Sequence, residues 1–263
     1  MINLRLLCLG DVVGKPGRIA LKNHLPQIQN DLKVNFTIVN IENAAGGHGL
    51  TTKIYQELNH LDIQAYTSGN HIYNKKEAVK DFFVYEKLVR PLNYPQGNPG
   101  VGYRIYNYNG IKIGVVNLVG RVFMGLADCP FQIITKFLPE ITRLTDLIIV
   151  DFHAETTSEK QAMGWYLDGK VTAVFGTHTH IITADEKILP AGTAYITDIG
   201  MVGAEDSVIG MSKEPIIERF LTQLPIKFEP PIHGGQTING IVMDIEIKTK
   251  KVVSITRFQR NYQ

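Results

Sequence analysis

The apolar runs Leu4–Leu9, Phe36–Ile41, Ile63–Thr67, Leu147–Val150 and Val171–Phe175 are too short for buried helices, and each ends at glycine or polar residues. Runs of that kind, bounded by turn residues, read as strands. Helix-compatible segments follow several of them, at Gly17–Asn30, Thr52–Asn59 and near Ser158–Leu167. That alternation predicts βαβ units and parallel strand pairs. The middle of the chain departs from it. Tyr103–Tyr108, then Asn109-Gly110, then Ile111–Leu118 predicts an antiparallel hairpin, because Asn-Gly tolerates the positive φ of a type I′ turn. Ala194–Thr197, Gly240–Ile247 and Lys251–Phe258 add later strands. Parallel and antiparallel strands together predict an α/β fold: a β-sandwich of two mixed sheets flanked by helices, rather than one doubly wound sheet.

The 263 residues suffice for one sizeable core, and no repeat, low-complexity tract or linker divides them. A single domain over residues 1–263 is expected, with Pro91–Gly100 as a surface excursion. The formal charge of +2 includes no long basic run, which argues against a stable nucleic-acid complex. Two cysteines exclude a disulfide framework, and Cys8 lies inside an apolar run as a small core residue. The N-terminal run is too short for a signal segment, and no stretch approaches the roughly 20 apolar residues of a membrane span. A cytoplasmic protein without membrane contact is the expectation.

Residues able to bind metal recur just past the strand ends: Asp11, Glu42-Asn43, Asn70-His71, His153, and His178 with His180. In α/β sheets such positions converge at the carboxyl ends of strands. The donors are carboxylate, amide oxygen and imidazole, without thiolate, which suits catalytic Mn, Fe or Zn better than a closed structural zinc site. Seven candidates exceed what one tetrahedral site takes, so two ions are expected, with Glu42 as the bridging candidate. A metal pair about 3.5–4 Å apart is the arrangement that polarises a phosphoryl group and activates water.

Each piece has an ordinary structural reading. Asp11 after Gly10, Glu42-Asn43 before glycines, and Asn70-His71 after Gly69 could be turn residues, and His178-Thr179-His180 a strand end. Their repetition at successive strand ends is what favours a shared site. His24, His60 and His233 take surface or structural roles. His48, in Gly46-Gly47-His48-Gly49, sits either in an anion-binding nest or in a plain loop, and both readings stay open. His71 is assigned the proton of the leaving group, since imidazole titrates near neutrality. A hydrogen bond to a metal ligand is the structural alternative.

Gly10-Asp11, Gly69-Asn70-His71 and Gly176-Thr177-His178-Thr179-His180 resemble the calcineurin-like metallophosphoesterase signature. Gly10-Asp11-Val12-Val13-Gly14, Asn40-Ile41-Glu42-Asn43-Ala44-Ala45-Gly46-Gly47, Asp151-Phe152-His153-Ala154-Glu155 and Asp206-Ser207-Val208-Ile209-Gly210-Met211 resemble its bacterial YmdB-like branch. Val13 stands where many members of the superfamily carry histidine, and Glu42-Asn43 where many carry a bridging aspartate; both departures match that branch. The resemblance implies that Asp11, Glu42, Asn43 and His180 hold one metal, and that Glu42, Asn70, His153 and His178 hold the other. It also implies homo-oligomers and a phosphodiesterase of 2′,3′-cyclic nucleotides, with a metal-bound hydroxide as nucleophile and His71 as acid. Iron or manganese is favoured, with zinc admitted, and no organic cofactor is expected. A phosphomonoesterase, a metal-dependent ribonuclease and a metal-binding regulatory protein remain as alternatives.

Overall fold

The protein's structure, a computed structural model, describes residues 3–263. From the N-terminus come β1 (Asn3–Leu9), β2 (Asp11–Val12), α1 (Gly14–Leu32), β3 (Phe36–Asn40), α2 (Thr52–Asn59), β4 (Ala65–Thr67) and α3 (Lys76–Asp81). Next are β5 (Tyr103–Tyr108), β6 (Ile111–Val119), α4 (Pro130–Leu144), β7 (Leu147–His153), α5 (Thr157–Leu167) and β8 (Ala173–Thr177). The chain finishes with β9 (Lys187–Ile188), β10 (Ala194–Ile196), β11 (Met201–Ala204), α6 (Lys213–Thr222), β12 (Gln236–Glu246) and β13 (Lys251–Tyr262).

The strands form two mixed sheets, and the expected metallophosphoesterase-type sandwich is what the chain builds. One sheet runs β2-β11-β12-β1-β3-β4, with β13 on the other edge of β12. The second runs β5-β6-β7-β8-β10-β9. Pairing is parallel from β1 to β4 through β3, and from β6 through β7 and β8 to β10, while β12 pairs antiparallel with β1, β11 and β13.

Side-chain alternation explains the layers. In β1, Leu4, Leu6 and Cys8 face the core between the sheets, together with Ile38, Ile113 and Ile149. Leu7 and Leu9 face the other way, onto Ala20, Leu21, Leu25 and Ile28 of α1. Val150 and Phe152 of β7 likewise face Ile134 of α4 and Met163 of α5. Strands covered on both faces read as continuous apolar runs, which is why β1 and β7 carry no polar alternation. Cys8 is buried, as its setting in the sequence predicts.

The hairpin turns at Asn109 (φ +49°) and Gly110 (φ +88°), as its dipeptide requires. Three differences stand out. Helix α1 begins at Gly14 rather than Gly17. Helix α4 is absent from the sequence reading; Pro130 occupies its first turn, where the missing N–H costs nothing, and Pro139 lies inside it. Finally, Pro91–Gly100 is not wholly superficial. Asn93 is buried, accepting from Val119 N at 2.9 Å and donating to the Val119 and Asp128 carbonyls. Among the described residues no helix is long and apolar enough to cross a membrane.

Candidate metal centre

The inter-sheet face turns polar where the strands end. Phe36 and Ile38 of β3 are followed on that face by Asn40; Leu147 and Ile149 of β7 by Asp151 and His153; Ala173 and Phe175 of β8 by Thr177. All of these polar residues are buried. Asn40 Nδ2 donates to Asp151 Oδ2 (3.1 Å), and Thr177 Oγ1 donates to Asp151 Oδ1 (2.6 Å). With its proton given to Asp151, Thr177 accepts from His153 Nδ1 (2.9 Å). That bond fixes the tautomer and leaves His153 Nε2 to face the site.

Around Nε2 lie Asn70 Oδ1 at 2.9 Å, Glu42 Oε1 at 3.1 Å and His178 Nδ1 at 3.0 Å. The other nitrogen of His178 meets Glu155 Oε2 at 3.0 Å, so its Nδ1 is also turned inward. Glu42, His153 and His178 offer donor atoms within 4.8 Å of one another. A second group adjoins the first. Asn43 Nδ2 lies 3.4 Å from Asp11 Oδ1, 3.1 Å from Glu42 Oε1 and 3.3 Å from His180 Nε2. His180 Nδ1 donates to the Ile209 carbonyl (2.8 Å), which directs its Nε2 towards Asp11 Oδ1, 3.8 Å away. All seven candidate ligands converge, in two groups that share Glu42.

These groups fit cations. Two carboxylates, two amides and three imidazoles crowd lone pairs together, and the Asn43 Oδ1 atom is buried without a partner. Burial pushes the Asp11 carboxyl up, aided by the nearby Glu42 charge and opposed by His180 and His153. Burial would raise Glu42 too, but His153 and the His71 N–H (2.9 Å) outweigh it and hold Glu42 down to about 2. His153 runs the opposite way: burial lowers it, yet Glu42, Asp11 and Asp151 carry it up to about 9. Burial, with His153 alongside, drops His178 to about 3. The cluster therefore demands positive charge, as a shared proton or as metal.

Close backbone approach is needed at Gly69. A Cβ there would lie 2.3 Å from His153 Cδ2 and 2.5 Å from Glu42 Oε2, so no larger residue fits behind the cluster. His71 is partly exposed; its Nδ1 contacts Asn74 Nδ2 at 2.8 Å and its ring stands 5.3 Å from that of His48. The glycine loop around His48 is tied down by its own backbone. Its Ala45 and Gly47 N–H groups donate inward to Gly49 and Asn43 carbonyls. His24 stacks on Tyr262 at 3.6 Å, a structural role.

Several residues that shape the site carry no role in the sequence reading: Asn40, Asp151, Thr177, Glu155, and the buried pair Lys160–Asp198. Asp198 Oδ2 accepts from Lys160 Nζ (2.6 Å) and from Thr179 N (3.1 Å) and Oγ1 (2.7 Å), which anchors the residue between His178 and His180. The signal was present for Asn40 and Asp151, polar residues on a strand face otherwise apolar. Lys160 and Asp198, far from each other in sequence, gave none.

The model of the YmdB-like protein family matches residues 7–258. The chain is 48% identical over 258 residues to the 2′,3′-cyclic-nucleotide 2′-phosphodiesterase of Bacillus subtilis (strain 168), covering 98% of this chain and 97% of that protein. Its structure is similar to that of a phosphatase from Mycoplasma pneumoniae (TM-score 0.93, 37% identity, 100% of this chain and 95% of the other). It is similar as well to that of a hypothetical protein from Thermus thermophilus (TM-score 0.92, 38% identity, 99% of this chain and 100% of the other).

Proposed function

The chain belongs to the YmdB-like protein family, and from that premise we propose that it is a two-metal phosphodiesterase acting on 2′,3′-cyclic nucleotides. The observation that carries this reading is the pair of donor groups meeting at Glu42. Asp11, Glu42, Asn43 and His180 would hold one ion; Glu42, Asn70, His153 and His178 the other. Iron or manganese suits these hard and borderline donors best, with zinc admissible. When bound, the ions supply charge that stabilises a phosphoryl transition state and lowers the pKa of a nucleophilic water.

The chain's own residues do the rest. Thr177 and Asp151 orient His153, Glu155 orients His178, and the Ile209 carbonyl orients His180. His71, partly exposed beside Asn70, would protonate a departing oxygen. In His71→Ala, kcat should fall roughly 100-fold for substrates with poor leaving groups and far less for activated esters. Equal losses for both would instead place His71 as a support for Asn70.

The reading is tested with metal-stripped protein reconstituted with Mn, Fe or Zn and assayed on 2′,3′-cyclic AMP, 3′,5′-cyclic AMP and a phosphomonoester. Two equivalents of metal per chain and a preference for the 2′,3′-cyclic diester are expected. Hydrolysis of the monoester alone would make the protein a phosphomonoesterase. Full activity with one equivalent would overturn the binuclear centre. Size-exclusion chromatography with light scattering should report a homo-oligomer.

A further inference from the structure

In the loop Gly46–Gly49, His48 is the one residue with a side chain, and Gly46, Gly47 and Gly49 all hold positive φ (+68°, +91° and +76°). Residues with a Cβ rarely adopt that conformation, so a loop built this way fixes where its single side chain is presented. The loop leans on the segment that follows Asn70. A Cβ on Gly49 would lie 3.0 Å from Lys75 Cγ and 3.2 Å from the His71 carbonyl oxygen. His48 is open to solvent and Lys75 is half-buried. The His48 ring stands 5.3 Å from that of His71, whose Nε2 lies 3.4 Å from Asn70 Nδ2. Two basic side chains thus join His71 at the edge of the donor groups.

No carboxylate answers them. Among the described residues neither His48 nor Lys75 enters an ion pair. The Glu42 charge reaches His48, but its oxygens are engaged by Asn43 (3.1 Å), His153 (3.1 Å) and the His71 N–H (2.9 Å). Partial burial and the neighbouring His71 and Lys75 disfavour the charged form of His48, a cost that a bound anion removes. An ammonium is a compact charge with three donors, and an imidazole N–H is a directional one. Donors of this kind form their strongest hydrogen bonds to ionised oxygens such as those of phosphate.

We propose that His48 and Lys75 are substrate-binding residues, which contact a phosphate oxygen of the nucleotide beside the metal centre. The inference rests on the phosphodiesterase reading and deepens it: two side chains of the protein recognise the phosphoryl group, and His71 keeps the proton.

Calorimetric titration of the metal-loaded enzyme with inorganic phosphate, alongside kinetics on 2′,3′-cyclic AMP, tests it. His48→Ala and Lys75→Met should each weaken phosphate binding about tenfold, the loss expected for one charge-assisted hydrogen bond, with bound metal unchanged. KM for the cyclic diester should rise by a similar factor, while kcat falls far less. His48→Lys restores a cation on a flexible stem and should recover most of the phosphate affinity; no recovery would overturn a contact made by charge. Phosphate affinity unchanged in either single variant removes that residue from the contact. Loss of metal along with phosphate would make the pair a support of the metal centre, and a fall in kcat at constant KM would make His48 a partner of His71; either result overturns the proposal. Phosphate binding is read without turnover, so it decides the contact even where the wild-type protein leaves 2′,3′-cyclic AMP intact, an outcome that overturns the diesterase reading alone.

Discussion

Replacing Glu42 by glutamine should reduce kcat by roughly a thousandfold or more and lower bound metal from two equivalents to one or fewer. The expected size follows from the several kcal/mol that a metal contributes to transition-state charge, each 1.36 kcal/mol being about tenfold in rate. The substitution is close to isosteric, so it separates charge from shape. Glutamine keeps an oxygen for the His71 N–H and fits the fully buried position. It cannot supply a carboxylate to both donor groups at once, and Glu42 touches side-chain donors of each, Asn43 on one side and His153 on the other, whereas Asp11 reaches the second group through the His178 N–H (3.0 Å). Metal analysis and steady-state kinetics on the same preparation give the result. Two equivalents retained with full turnover would remove Glu42 from the bridging position. Loss of hydrolysis with an intact cellular effect would favour the metal-binding regulator over the enzyme.

The polar face at the strand ends was readable because strand geometry is periodic. An apolar strand whose last positions on one face become Asn40, or Asp151 and His153, cannot bury them without partners, so the sequence itself announces a polar cluster at that end. Asp11, Glu42 and Asn70 follow the same logic one or more residues beyond their apolar runs. What the sequence withheld depends on contacts between distant segments. Glu155 matters because His178 reaches it from another strand end, and Lys160 reads as a surface helix residue until Asp198 is seen beside it. Helix α4 was lost for a different reason: Pro139 sits inside it, and propensity argues against a helix that burial of Ile134 and Ile141 nevertheless stabilises.

Lys160→Met should lower the melting temperature by roughly 6–20 °C and weaken metal binding. Lys160 and Asp198 are each 1% exposed at the side chain and 2.6 Å apart. Removing one partner of a buried pair typically costs about 3–5 kcal/mol, since the other charge is left uncompensated. In a chain of this size each kcal/mol shifts the midpoint by about 2–4 °C. Methionine keeps the apolar stem, so the loss reports charge rather than a cavity. Asp198 retains donors in Thr179 and Gly200 N (2.8 Å), which places the effect in the lower half of that range. The consequence for the site comes through backbone strain. His178 and His180 both hold positive φ, +99° and +64°, a conformation that costs a non-glycine residue on the order of 1–3 kcal/mol. Thr179, tied to Asp198 between them, is one of the bonds that keeps them there. A loosened anchor lets the loop relax, and metal affinity should fall about 10- to 100-fold, as for other groups that orient ligands. The double variant Lys160→Met with Asp198→Asn removes both charges and still offers Thr179 an acceptor. It should recover part of the lost stability and of the metal affinity, a coupling that a cycle of the single and double variants measures directly. Additive losses would show that the two residues act independently and that the histidine loop is held by other bonds.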